Sequence, residues 1–376
     1  MDMSHLSFSN FPNINIWEKV GNNINSSGND HSGRSVAISS DGTIVAIGEP
    51  HYDTRSSLWH AGRVRIYQLD NNSWTQIGND IYGVGETFPI NGVIGASDTF
   101  GISIGLSDDG STVAIGGPGN QNNDGNGYGN GYVKVFKNKN EIWEQVGETI
   151  FGEADSDGSG SSISLSAGGS VIAIGATGND GNGNNSGHVR IFQNIDNVWT
   201  QIGTDIDGAA AGDRSGGDQA GQQVALSSDG SIVAIASRWG NHSGGELSNV
   251  GHVRIFQNID NVWTQIGDDI TGKYNYDHVG RSISLSSDGS IIAIGIYGNR
   301  GYGDTDNRAG RLRVYQNIDN VWTQIGDDIN GEHTNDFFGS SVSLSSDGSI
   351  VAVGSLENDG NGSNSGNARI YQNINN

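Results

Sequence analysis

The sequence predicts an all-β protein, a six-bladed β-propeller with four antiparallel strands per blade. A Trp-centred segment recurs six times, and three other short segments recur between the tryptophans in a fixed order. Glycine, which weakens helices, accounts for 60 of the 376 residues. A repeat of four short strands is typical of a propeller blade. The repeated tryptophans are Trp17, Trp74, Trp143, Trp199, Trp263 and Trp322.

The first complete repeat illustrates the predicted strands. "GRSVAISSDG" (33–42) is followed by "TIVAIG" (43–48), "GRVRIYQ" (62–68) and "SWTQIG" (73–78). Each segment is rich in Val, Ile or aromatic residues and is bounded by turn residues, as strands are. Asp-Gly between the first two segments favours a tight hairpin with positive φ. We expect the Trp to lie buried on the outermost strand of each blade.

The Trp-centred segment comes first in the chain, whereas the last repeat lacks one. We therefore expect residues 13–21 to pair with 366–373, so that the N-terminal strand completes the C-terminal blade and closes the ring. Closure would leave no half-paired sheet edge. The whole chain, 1–376, is then a single propeller domain. The predicted blades are 33–79, 101–148, 160–204, 221–268, 280–327 and 339–373 plus 13–21.

Two stretches connect this repeat to a known family. "DTFGISIGLSDDGSTVAIGGPG" (98–119) and "DFFGSSVSLSSDGSIVAVG" (336–354) resemble the FG-GAP repeats of integrin-α-like β-propellers. The resemblance implies a propeller fold and a role in adhesion or ligand binding. Two features depart from integrin-type propellers, which have seven blades and an Asp-rich calcium loop between the first and second strands. Here six blades are supplied and "SSDGS" stands at that loop, so calcium is not expected there.

Composition excludes several classes of partner. The formal charge of −23 disfavours nucleic acid and acidic membrane surfaces, both of which require a basic face. The chain has no cysteine and therefore no disulfide or thiolate metal site. We expect no membrane insertion, because no apolar stretch approaches the ~20 residues of a membrane-spanning helix. No signal-peptide pattern opens the sequence. An extracellular or surface location is favoured weakly, and the compartment is otherwise unknown.

The links of variable length all fall on one rim of the predicted propeller, here called the variable rim. They are the links before each first strand and those between second and third strands. Aromatic and histidine side chains in these links suit stacking on sugar rings together with hydrogen bonding to hydroxyls. The alternative is that these rings cover the blade tops. The predicted ligand-binding residues are Trp59, Trp239, Tyr52, Tyr274, Tyr276, Tyr297, Tyr302, His51 and His242.

Two patterns of acidic residues also stand out. An Asp precedes each first-strand Gly by three residues, and a scaffold role is favoured over a ring of carboxylates that binds a cation. These residues are Asp30, Asp98, Asp157, Asp218, Asp277 and Asp336. Gly-rich loops with alternating Asp and Asn resemble the start of a calcium loop, although ordinary turns are the favoured interpretation. Their candidate metal ligands are Asp124, Asp180, Asp304, Asp306 and Asp359.

The function that the sequence favours is a non-catalytic binding or adhesion module. Its variable rim would recognise a glycan or protein ligand at a surface. No catalytic residue is assigned, because familiar nucleophile, metalloprotease and phosphate-loop motifs are missing from the sequence. No cofactor is required, and calcium is the one cofactor considered. Two alternatives stay open: a hydrolase or lyase acting on a polysaccharide through rim residues such as His51, Asp53 and His242, and a structural subunit of a larger assembly.

Overall fold

A computed structural model describes residues 19–26, 30–53, 61–83, 98–119, 129–209, 220–240, 249–298, 308–360 and 362–374. Within these ranges the chain forms six antiparallel sheets in succession and no helix. The sheets are the six blades of a propeller, so the predicted fold class is confirmed. No helix in the described part of the chain is long and apolar enough to cross a bilayer.

Each blade is a meander that begins with three long strands. The first strands are β1 (Ser35–Ile38), β6 (Ser103–Leu106), β11 (Ser159–Leu165), β16 (Gln223–Leu226), β21 (Val279–Leu285) and β26 (Phe338–Leu344). The second strands are β2 (Ile44–Glu49), β7 (Thr112–Gly117), β12 (Val171–Ala176), β17 (Ile232–Ser237), β22 (Ile291–Ile296) and β27 (Ile350–Ser355). The third strands are β3 (Arg63–Asp70), β8 (Tyr132–Lys139), β13 (His188–Ile195), β18 (His252–Ile259), β23 (Arg311–Ile318) and β28 (Asn367–Gln372).

Blades one to five continue with two shorter strands, both paired with the third strand. The fourth strands are β4 (Ser73–Gln76), β9 (Ile142–Gln145), β14 (Val198–Gln201), β19 (Val262–Gln265) and β24 (Val321–Gln324). The fifth strands are β5 (Ile81–Tyr82), β10 (Ile150–Phe151), β15 (Ile206–Asp207), β20 (Ile270–Thr271) and β25 (Ile329–Asn330). The sequence did not predict these two-residue strands. They return the chain to the variable rim beside the start of the third strand.

The two hairpins of each blade differ in their turn chemistry. Between the third and fourth strands of blade three, Asp196 and Asn197 both have positive φ, 52° and 66°. Two such residues in a two-residue loop form a type I′ turn, whose twist matches that of the strands. The first hairpin is wider, and Gly42 at φ 73° is its positive-φ residue in blade one. There Asp41 Oδ1 accepts a hydrogen bond from Thr43 N at 2.9 Å and fixes the turn.

Successive blades make backbone contacts at the variable rim. In blades one to five, a glycine just before the third strand forms a parallel bridge to the next blade, as Gly62 does to Phe100 and Gly251 does to Val279. A Cβ at Gly62 would lie 2.2 Å from the carbonyl oxygen of Phe100. Only glycine permits this approach. Between the blades lie five apolar clusters, one at each of the five interfaces from blade one to blade six.

The repeated tryptophans join each blade to the one before it. The indole N–H of Trp263 donates to the carbonyl of Ile202, at the end of the preceding blade's fourth strand, at 2.8 Å. Trp143, Trp199 and Trp322 make the same bond to their preceding blades. We call this contact the interblade tryptophan bond. Trp263 is half-buried rather than fully buried as the sequence led us to expect, since the ring lies along the outer surface of the blade.

The N-terminal segment takes the place of a preceding blade against blade one. The indole N–H of Trp74 donates to the carbonyl of Val20 at 3.0 Å, and Trp74 N donates to Asn22 Oδ1 at 2.7 Å. Gly21 has φ 72°, close to the 73° of Gly78 at the matching position. Residues 19–22 therefore sit where the end of a fourth strand is expected. Residues 13–18 of the predicted closing strand lie outside the described residues, and the described sixth sheet has three strands.

One face of blade one and one face of blade six have no described neighbouring blade and are more exposed than the faces between the other blades. Val36 and Ile38 on β1 are 63% and 61% exposed, and Ile370 on β28 is 52% exposed. Ile255, the counterpart of Ile370 in blade four, is 1% exposed. Among the described residues, no apolar cluster spans the seam between the last and first blades, unlike the other five interfaces.

Candidate functional site

A cavity of about 300 Å³ opens on the variable rim beside blades five and six. We call it the rim pocket. Its lining is aromatic and basic, and the residues are Tyr276, His278, Tyr297, Gly298, Arg308 and Phe337. They come from the links before β21 and β26 and from the link between β22 and β23. The pocket is therefore built from the variable links on which the sequence placed the candidate site.

The turn that carries Tyr276 and His278 is fixed by a buried carboxylate. Asp277 Oδ2 accepts hydrogen bonds from Lys273 N at 2.8 Å and Tyr274 N at 3.1 Å. His278, directly after this Asp, has φ 53°, a conformation that costs energy for a bulky residue. Phe337 in blade six has φ 51° at the same position, so the turn belongs to the repeat. In this pocket the turn carries the rings of Tyr276 and His278.

Aromatic contacts connect neighbouring blades at the pocket. The rings of Tyr297 and Phe337 stack with centroids 4.5 Å apart and an angle of 14° between their planes. Trp239, just after the second strand of blade four, meets His278 edge-on with centroids 4.5 Å apart. Tyr276 lies 6.1 Å from His278 and is 43% exposed. The pocket therefore presents packed aromatic surfaces with an open edge toward solvent.

Three arginines surround these rings. Arg238 lies 4.8 Å over the Trp239 ring, Arg281 lies 5.4 Å over the Tyr297 ring, and Arg308 lines the cavity. The Nε atoms of Arg238 and Arg281 are buried and have no hydrogen-bond partner. In the described part of the chain, no carboxylate forms an ion pair with any of the three. A concentration of positive charge with no counter-ion among the described residues, in a chain of net charge −23, is suited to an anionic ligand.

The same charges set the protonation state of the pocket. Burial lowers the pKa of His278, and the neighbouring charges of Arg238, Arg281 and Arg308 lower it further. Burial, followed by the proximity of Arg281, lowers the pKa of Arg238. The His278 ring is held by a 3.3 Å contact between Nδ1 and the carbonyl of Arg238. At neutral pH the pocket therefore combines a neutral imidazole with guanidinium cations.

The predicted ligand-binding residues separate into three groups. Trp239, Tyr276 and Tyr297 come together at the rim pocket, and Tyr274 lies exposed in the same turn as Tyr276. His51 and Tyr52 lie on blade one, where His51 stacks on His31 at 3.9 Å and Arg63 lies 3.7 Å over the Tyr52 ring. Trp59, Tyr302 and His242 lie outside the described residues.

Sequence reasoning missed the basic half of the pocket. His278, Phe337, Arg238, Arg281 and Arg308 were not among the predicted residues. Arg238 directly precedes Trp239, which had been singled out, and that adjacency is the one signal the sequence offered. The others lie on β21 and on three links, as far apart in the chain as His278 and Phe337, and only the propeller brings them together.

The recurrent Asp residues mostly bond to nearby backbone or side chains. Asp157 and Asp336 accept backbone amides of the preceding turn, as Asp277 does. Asp30 accepts from Ser26 Oγ at 2.7 Å, and Asp98 accepts from the Tyr132 hydroxyl at 3.1 Å. Asp218 lies outside the described residues. These contacts agree with the scaffold interpretation.

Two of the candidate calcium loops, at Asp180 and Asp359, lie within the described residues. Asp180 Oδ1 accepts the amide of Asn185 at 2.6 Å, and Asp359 Oδ1 accepts the amide of Asn364 at 2.7 Å. Both carboxylates thus close their own loops in the same way. Asp124, Asp304 and Asp306 lie outside the described residues. Calcium binding at these loops stays a prediction.

A second cavity, of about 450 Å³, lies beside the fourth strand of blade five. Its lining includes Trp322, Tyr315 and Asp269. Trp322 and its neighbours belong to segments that recur in every blade. This groove is therefore part of the repeated scaffold, whereas the rim pocket is built from the links that vary.

Comparison with known proteins agrees with the fold. A model of the FG-GAP repeat matches residues 330–371. No curated protein sequence is significantly similar to the chain. Among solved structures, Kuenenia stuttgartiensis hydrazine synthase is similar with 11% identity and a TM-score of 0.50, over 89% of this chain and 78% of that one.

A Bacteroides uniformis protein described as a 6-phosphogluconolactonase is also similar, with 13% identity and a TM-score of 0.44, over 80% of this chain and 86% of that one. At such identities a shared fold does not carry function with it. The chain is a six-bladed β-propeller whose residues 330–371 match the FG-GAP repeat.

Proposed function

We propose that the protein is a binding module whose variable rim recognises an anionic saccharide, with the rim pocket as the recognition site. The observation that carries this proposal is the placement of three arginines, unpaired with any described carboxylate, around stacked aromatic rings. The expected ligand is a sugar that bears a carboxylate or sulfate group. A protein ligand is the alternative that the same surface would accommodate.

The aromatic part of the pocket supports recognition of a sugar ring. The apolar face of a pyranose packs on an aromatic side chain, while its hydroxyls require polar groups at the edge of that ring. Tyr276 offers an exposed phenol ring, and His278 lies beside it. The cavity, at about 300 Å³, is at the lower end of the range for small-molecule sites and suits one or two sugar units.

The basic part supports a preference for an acidic sugar. A guanidinium presents a planar set of donors that matches a carboxylate or sulfate group. Arg281 is held close to Tyr297 by its position over the ring, which pre-orients the cation. Binding a neutral sugar would leave these cations unpaired, whereas an acidic sugar would satisfy them. We therefore expect discrimination between the two classes.

A glycan array that contains acidic and neutral oligosaccharides tests the proposal. We expect the wild-type protein to retain acidic glycans, and we expect Arg281→Gln and Arg308→Gln each to weaken that binding about tenfold through loss of one charge-assisted contact. Arg34→Gln is the matched control. Arg34 occupies the position of Arg281 in blade one but is exposed and remote from the pocket.

The outcomes are distinct. Retention of neutral glycans alone, or equal binding by Arg281→Gln and Arg34→Gln, would refute recognition of an anion at this pocket. Shortening of a retained glycan, detected by mass spectrometry, would instead support the hydrolase or lyase alternative. Absence of any glycan signal from a folded protein would reject a saccharide ligand and leave a protein partner.

A further inference from the structure

We propose that Glu153, His188 and Asp205 form a binding site for a divalent transition-metal ion of the zinc class, on the outer side of blade three at the variable rim. Each residue offers one ligand atom, and these three atoms lie within 4.8 Å of one another. The site is separate from the rim pocket and from the calcium loops predicted from the sequence. It does not depend on the proposed saccharide binding.

His188 is the observation that points to an ion. Its side chain is 1% exposed, and neither ring nitrogen has a hydrogen-bond partner. Buried polar atoms without partners are uncommon, and an ion at the site is one of the standard explanations. A neutral imidazole nitrogen offers a lone pair to a metal ion.

The two carboxylates reach the imidazole from the solvent side. Asp205 Oδ2 lies 3.5 Å from His188 Nδ1, while Asp205 Oδ1 accepts a hydrogen bond from Gln201 Nε2 at 2.6 Å. That bond orients the carboxylate with its free oxygen toward the ring. The side chains of Asp205 and Glu153 are 28% and 48% exposed, so an ion has an open path to the buried nitrogen.

The charges favour a cation. The carboxylates of Glu153 and Asp205 each bring an oxygen within 4.8 Å of the other and of the imidazole, so two like charges are crowded together. Arg190 Nη1 lies 3.5 Å from Glu153 Oε1 and supplies one positive charge against the two carboxylates. With a neutral imidazole, the group retains a formal charge of −1. A divalent cation would relieve this repulsion and bond to the orphaned nitrogen.

The internal repeat supplies the strongest comparison. In blade five the position of His188 is occupied by Arg311, whose Nη1 lies 3.2 Å from Asp328 Oδ2. In blade one it is occupied by Arg63, which pairs with Asp80 at 2.9 Å. In blades one and five, an arginine therefore neutralises the Asp that corresponds to Asp205. Blade three substitutes a neutral imidazole and adds a second carboxylate from Glu153.

The ligand set suits zinc better than calcium. Imidazole nitrogen with carboxylate oxygen is a common zinc environment, and three protein ligands leave a position for water. Calcium requires six to eight oxygen ligands, and this cluster offers fewer. Zinc bonds of about 2.1 Å place neighbouring ligands about 3.4 Å apart in a tetrahedral site. Small side-chain rotations would close the observed spacing to that value.

Titration of the chelator-treated protein with Co²⁺ tests the site, because cobalt in a tetrahedral site with a nitrogen ligand has visible absorption. We expect saturation at a single ion per chain, with competition by Zn²⁺. Glu153→Gln, a change at a half-exposed residue that should preserve folding, should weaken the binding. His188→Asn should abolish the absorption. Circular dichroism of each variant verifies that the propeller is intact.

Blade four provides a matched control and a gain of function. His252 and Asp269 occupy the positions of His188 and Asp205, but Ala209 stands where blade three has Glu153. His252→Asn should therefore leave cobalt binding unchanged, and Ala209→Glu should create a second site. Lack of saturable binding by the folded wild type, or equal binding by wild type and His188→Asn, would overturn the proposal.

Discussion

The interblade tryptophan bond leads to a prediction whose size follows from the structure. In blade four the Trp263 indole donates at 2.8 Å to the carbonyl of Ile202, and its half-buried ring packs on the cluster between blades three and four. A net hydrogen bond contributes about 0.5–1.5 kcal/mol. A fully buried Trp replaced by Ala costs about 3–5 kcal/mol, and half-burial reduces this to about 2–3 kcal/mol.

Two substitutions separate the hydrogen bond from the packing. Trp263→Phe keeps an aromatic ring but removes the donor, so we expect a loss of about 1 kcal/mol in unfolding free energy. Trp263→Ala removes both and should cost about 2–3 kcal/mol. Urea unfolding followed by far-UV circular dichroism measures both, because that signal does not depend on the indole that has been removed. Equal losses for the two variants, or a loss below about 0.5 kcal/mol for Ala, would refute the proposed role.

Three further predictions concern packing, pH and charge. Ile255→Ala should cost about 2–5 kcal/mol because its side chain is 1% exposed, whereas Ile370→Ala at the seam, 52% exposed, should cost less than about 1 kcal/mol. Because the pKa of His278 is lowered in the folded state, the unfolded chain binds more protons than the folded chain. This contribution to stability is therefore present above about pH 6.5 and is lost on acidification. His278→Gln should flatten the curve of unfolding free energy against pH between about pH 7 and pH 5. Asp328→Asn should destabilise by about 1–3 kcal/mol, because it leaves the guanidinium of Arg313, now 2.8 Å from Asp328 Oδ1, without its partner.

Each of these has a contradicting result in chemical denaturation. A large loss for Ile370→Ala would mean that the seam is packed in solution as tightly as the other interfaces. Parallel pH curves for His278→Gln and wild type would mean that this imidazole titrates as it does in the unfolded chain. An unchanged midpoint for Asp328→Asn would mean that the ion pair contributes nothing to stability.

Much of the fold could be predicted because the same pattern of strands and turns recurs along the sequence. Identical strand patterns at Trp143 and Trp263 fix the blade, and the two-residue Asp-Asn turn fixes the second hairpin. The two-residue strands such as β5 were missed because their residues carry no periodicity long enough to recognise. The half-burial of Trp263 was missed because sequence does not show whether a ring covers a blade edge or enters it.

The rim pocket contains some of the residues named from the sequence, but its basic residues were not predicted. Unequal link lengths identified the variable rim, and Trp239 and Tyr297 were named because their residue types are unusual in such links. Arg281 was not, because "GRS" also occurs at Arg34, where the side chain is exposed. Whether such an arginine lies alone or beside two others depends on which links the blades bring together. Similarly, the cluster around His188 combines two segments of blade three with Glu153, which comes from the link between blades two and three.

Hydrogen–deuterium exchange with and without an acidic oligosaccharide retained on the array would locate the binding surface most directly. If the variable rim binds it, protection should increase at 273–281, 297–298 and 336–338 around the rim pocket, while the "SSDG" hairpins of the opposite rim exchange unchanged. Protection confined to those hairpins, or to the outer strands, would contradict the assignment of the working surface.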